Sequence, residues 1–110
     1  MIDAKRFARD SVEALNTLAV LATPGGYGTL VHHLGESAAN DRVNSALRSC
    51  EDYAAVAARQ YANLQYGAEM SSVRAKLRAA AEAWESGRLD MVELESVSRV
   101  VLESMGMPRR

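Results

Sequence analysis

From Asn40 onward apolar side chains recur at alternating steps of four and three: Val43, Leu47, Cys50, Ala54, Ala57, Tyr61 and Leu64. That spacing lines one face of an α-helix, and because it keeps to a heptad the stripe does not drift around the axis. It predicts one long helix over residues 40–66. In its middle, Ala54, Ala55, Val56, Ala57 and Ala58 are apolar almost all round and small. A helix of that kind has neighbours on more than one side, in the centre of a bundle or in a subunit interface.

The remaining chain reads as shorter helices around this one. A first helix is expected over residues 3–22, with Asp3 as N-cap and Ile2 stapled onto Phe7. Its stripe is Ala8, Val12, Leu15, Ala19 and Ala22, widened by Leu18 and Leu21. Thr23, Pro24 and the glycines Gly25, Gly26 and Gly28 end it, since Pro24 cannot continue a helix. Thr29 caps a short second helix through Leu30, Val31 and Leu34. Gly35 weakens the pattern there, and whether this helix runs on into the long one is left open; if it breaks, Ser37 or Asn40 caps the long helix. Gly67 is read as the stop of the long helix, with Ser71 or Ser72 capping the next. Val73, Leu77, Ala80, Ala81 and Trp84 form that helix's buried side. After a turn at Ser86 and Gly87, Asp90 and Glu93 stand at capping-box spacing. Leu94, Val97, Val101 and Met105 make the last stripe, which Gly106 and Pro108 stop. The expected fold is all-α: an antiparallel helical bundle of four to five helices around one long central helix.

Composition narrows this picture. With 110 residues the chain makes one domain, because two cores would each be too small to hold together. The apolar fraction of 48% excludes a disordered chain. A single Phe and many Ala, Val and Leu predict a thin, closely packed core, so a homodimer that buries more surface is a further expectation. The net charge of −1, with acids and bases interspersed, argues against the basic face of a strongly electrostatic nucleic-acid binder. No stretch approaches the ~20 apolar residues of a membrane span, and the N-terminus lacks a signal-peptide pattern, so a cytoplasmic location is expected. One cysteine allows no intramolecular disulfide, and Cys50, on the apolar stripe, reads as a small buried hydrophobe.

Catalytic chemistry finds little support. The glycines of 25–28 lack the Lys and preceding strand of a Walker loop. His32 and His33, adjacent in a helix, point about 100° apart and do not form an i,i+4 metal pair. The segment Val31, His32, His33, Leu34, Gly35, Glu36, Ser37, Ala38, Ala39, Asn40 resembles the phosphoacceptor segment of histidine phosphotransfer domains, written A-H-x-L-K-G-S-A-x-N. His32, Leu34, Ser37, Ala38 and Asn40 correspond. The resemblance implies a phosphorylatable His32 on a helical bundle, although Gly35 replaces the Lys and Glu36 the small residue. Leu34, Gly35, Glu36 and Ser37 also look like a helix-turn-helix turn. Glu36, Asp41 and Asn44, where that motif needs apolar residues, exclude it. Arg74 and Arg78 share a helix face and form the basis of a second alternative, nucleic-acid binding, without the interleaved aromatics that read single strands.

What stands out is apolar surface beyond the main stripe of the long helix. Ala46, Tyr53 and Val56 lie off that line and Tyr66 ends it, and Tyr is favoured at interfaces for its large area and polar tip. The expectation is a small regulator or adaptor, not an enzyme and without cofactor, that binds a protein partner through Ala46, Tyr53, Val56 and Tyr66. Phosphotransfer through His32 is the alternative.

Overall fold

The structure, a computed structural model, describes residues 4–106. They form five helices: α1 (Ala4–Leu21), α2 (Gly26–Leu34), α3 (Glu36–Gln60), α4 (Gln65–Glu85) and α5 (Met91–Ser104). The chain is an all-α bundle with α3 as its spine. Helices α1, α2 and α4 pack on α3, and α5 closes the other side against α1 and α4. The expected cap and staple at Asp3 and Ile2 and the stop at Pro108 lie outside the described residues.

The heptad stripe holds for its first five positions. Val43, Leu47, Cys50, Ala54 and Ala57 are all buried, facing Leu18, Leu21, Met70, Val73, Leu77, Leu94 and Val101 from the other helices in one continuous core. It fails for the last two. Helix α3 stops at Gln60, Tyr61 takes φ −112° and ψ 34°, and α4 begins at Gln65 after Leu64 turns extended. Gly67, expected to end the long helix, lies in the first turn of α4. Its missing side chain is what lets the two helices meet, since a Cβ there would stand 2.0 Å from the Tyr61 carbonyl oxygen.

Two further boundaries differ from expectation. Helix α3 starts at Glu36 instead of Asn40, and neither Ser37 nor Asn40 caps it. Gly35 alone separates α2 from α3, with φ 83° and ψ 160°, a backbone conformation that a residue with a Cβ rarely adopts. It accepts from the Ala39 N–H and donates to the Val31 carbonyl, so one residue ends one helix and opens the next. At the other break, α2 begins at Gly26, ahead of the expected Thr29. The reason is again space: a Cβ on Gly26 would lie 1.9 Å from the Val20 carbonyl oxygen.

Helix α1 is rotated relative to its predicted stripe. Leu18 and Leu21 lie at the centre of the buried face together with Ala14, whereas Val12 is exposed and Ala8 and Ala19 face outward. The face that wins contains Ser11 and Thr17. A buried hydroxyl on a helix can bond to the carbonyl one turn back, and Thr17 Oγ1 does so with Glu13 at 3.0 Å. Ser98 repeats this in α5, donating to Leu94 at 2.8 Å while fully buried. On α4 and α5 the expected faces form. Asp90 Oδ1 accepts from the Glu93 N–H at 2.8 Å as the predicted cap.

Cys50 is buried in the core, and desolvation pushes its thiol up to about 12. The unfolded thiol ionises from about pH 9 while the folded one stays neutral. Its contribution to stability is therefore complete below pH 9 and lost as pH rises towards 12. Native protein at pH 8 should not react with Ellman's reagent until urea is added. The urea midpoint should also fall between pH 9 and 11, less steeply in Cys50→Ala; a rapidly labelled native thiol would contradict this burial.

Candidate protein-docking face

The early end of α3 and the start of α4 bring tyrosines from three places together. Tyr53 stands on α3, Tyr61 on the connection and Tyr66 in the first turn of α4. The rings of Tyr61 and Tyr66 meet edge to face with centroids 5.4 Å apart. Tyr53 adjoins Tyr66. Burial first, and then the neighbouring Tyr53, Tyr61 and Glu69, push the Tyr66 phenol above its ordinary range. Tyr53, Val56 and Tyr66 are half-buried. Tyr61 is 41% exposed and Leu64 59%.

Of the expected face, the structure thus brings Tyr53 and Tyr66 together, keeps Val56 half-buried on α3, and removes Ala46. That residue is 2% exposed, packed in the core with Ala14 where α1 crosses α3. Its small side chain off the main stripe is what lets α1 approach. Tyr61 and Leu64, assigned by the heptad to the buried stripe, are the two side chains that the early end of α3 turns outward. Asn63, a common turn residue, was the local signal for it.

The opposite end of the bundle is knitted differently. Tyr27 of α2 donates its hydroxyl to Asn40 Oδ1, and the Trp84 indole N–H of α4 donates to the Asn40 carbonyl at 3.2 Å. The two rings meet edge to face at 5.7 Å. A cleft of about 440 Å³ runs beside them, lined also by Asp41, Asn44 and Glu85. Asn44 Oδ1 is buried beside it and has no hydrogen-bond partner among the described residues. Arg48 pins α3 to α4 at this end, bonding Glu51 at 3.0 Å and Glu85 at 3.0 Å.

The other candidate groups are scattered. His32 and His33 lie exposed in the last turn of α2, and the Gly35 break puts Ser37, Ala38 and Asn40 on a different helix from His32. Arg78 is ion-paired with Glu82 at 3.5 Å, while Arg74 stands with Arg59 along the α3–α4 groove. Among the described residues no group of three or more His, Cys, Asp or Glu side chains is placed to hold a metal ion. None of the described helices is long and apolar enough to cross a membrane. No family model, curated protein or solved structure matches the chain.

Proposed function

We propose that this chain is a small regulator or adaptor that docks the tyrosine end of its bundle on a protein partner. The observation that carries the reading is the outward placement of Tyr61 and Leu64 on a frame of Tyr53, Val56 and Tyr66. Tyrosines held by a ring contact lose less freedom on binding. Such preorganised aromatic anchors dominate interface energies. An exposed leucine at 59% beside them adds apolar area that a partner removes from water, about 25 cal/mol per Å².

The test uses the two exposed members, because Tyr66 and Tyr53 also support the fold. A Tyr61→Ser, Leu64→Ser double variant should keep the far-UV spectrum and melting temperature within a few degrees. It should lose a partner that co-purifies with the unaltered chain, by about tenfold or more in affinity. Partner binding that survives in this folded variant would place the docking face elsewhere. Sedimentation of the purified chain separates the homodimer case, in which a second copy covers the same tyrosines and the double variant becomes monomeric.

A further inference from the structure

One side of the α3–α4 seam changes character along its length. At the Trp84 end its cations are matched: Arg48 holds Glu51 and Glu85, and Arg78 holds Glu82. Towards the tyrosine end the seam opens into a groove of about 450 Å³ lined by Ala55, Ala58, Arg59, Ala62, Gly67, Ala68, Ser71 and Arg74. Among the described residues Arg59 and Arg74 have no carboxylate within ion-pair distance, and both are exposed. The floor is alanine and glycine, so a chain can lie close to the backbone of both helices.

We propose that this groove binds an acidic peptide segment of the partner, its carboxylates bridging Arg59 on α3 and Arg74 on α4. The proposal rests on the adaptor reading above and names the chemistry of the segment that is bound. Three features favour such an occupant. Two guanidiniums on facing walls present planar forks of N–H donors that match carboxylates, and Ser71 adds a hydroxyl on the α4 wall. The start of α4 contributes the positive end of its dipole at the same place. The length fits as well: from Gly67 to Arg74 the wall runs about 10 Å at 1.5 Å per residue, or about three residues of extended chain at 3.3 Å each. The groove is open along one side, which suits a strand of peptide better than a small ligand that needs enclosure.

The experiment is an amide NMR titration of the full chain with a short peptide of alternating glutamate and alanine. A glutamine version serves as control. The glutamate peptide should shift the amides of Ala58, Ala62, Ala68 and Ser71, with the effect falling as salt is raised. An Arg59→Glu, Arg74→Glu variant, altered only at exposed positions, should retain its melting temperature and bind at least about tenfold more weakly. No shift at these amides, or equal shifts with the glutamine peptide, would overturn the proposal. Inorganic phosphate binding more tightly than the peptide at the same amides would overturn it too, in favour of a small-anion site. The Tyr61→Ser, Leu64→Ser variant separates the two readings: if it still binds the glutamate peptide but loses the partner, both stand. If it keeps the partner, the docking face fails while the groove remains.

Discussion

Gly67→Ala is expected to cost at least about 3 kcal/mol, at the upper edge of what overpacking usually does. The added Cβ would lie 2.0 Å from the Tyr61 carbonyl oxygen and 2.6 Å from its carbon. Both are backbone atoms, so no side chain can swing away to make room. Relief requires α4 to move off the connection from α3, and that opens the seam where Met70 and Ala57 are buried. For a domain of this size each kcal/mol lowers the melting temperature by about 4–8 °C, so a fall of roughly 12 °C or more should be seen by circular dichroism. Gly28→Ala is the control. It lies inside α2 with nothing near its Cβ position, and there the intrinsic preference of alanine for helix is worth up to about 1 kcal/mol in favour. Should Gly67→Ala melt within a few degrees of the unaltered chain, the close approach is not there. The same variant should disturb Tyr61 and Leu64, and with them partner binding, because it moves the connection that carries them.

Leu47→Ala should be comparably severe for a different reason. Leu47 is fully buried near the middle of α3, where α3 faces its neighbours on more than one side. Truncation removes buried methyl groups and leaves a cavity, together about 2–5 kcal/mol. The surroundings of alanine, valine and leucine collapse poorly around such a gap. Urea unfolding should show a lower midpoint with an unchanged slope. Against a total stability of about 5–15 kcal/mol, the variant should still fold at about 20 °C, near the usual temperature of maximum stability. In contrast to Gly67→Ala, it should leave the binding of a glutamate peptide near its original strength once folded. An unaltered midpoint would mean that Leu47 is not in a packed core.

The helices were legible where periodicity and caps agreed. Asp90 with Glu93 announced α5, and the run from Val43 to Ala57 announced the spine. What the pattern could not show was where one helix yields to the next. Tyr61 and Leu64 continue the heptad perfectly well; the chain turns there because Gly67 gives α4 a close seat on the Tyr61 backbone, a tertiary gain that periodicity does not encode. On α1 two stripes competed. The one with more apolar side chains lost to the one carrying Leu18 and Leu21, because Ser11 and Thr17 can be buried and Thr17 returns its hydroxyl to the Glu13 carbonyl. The candidate face was legible in part. Tyr53 and Tyr66 were singled out by their chemistry, but their union across two helices depends on the early turn. Ala46 failed because a small residue off the main stripe serves close packing as readily as binding. The Arg59–Arg74 pairing lay beyond reach, since the two stand on separate helices whose alignment is set by the same turn.

The tie between Trp84 and Asn40 has a practical side. Trp84 is the chain's one tryptophan, its indole engaged by a backbone carbonyl and by the ring edge of Tyr27. Along α4 it stands about 27 Å from Tyr66 at the helical rise of 1.5 Å per residue. Its emission therefore reports the seating of α2 on α3 and α4 from the far end of the molecule. The protein carries a built-in optical gauge of its own integrity, placed away from the surface where a partner would land.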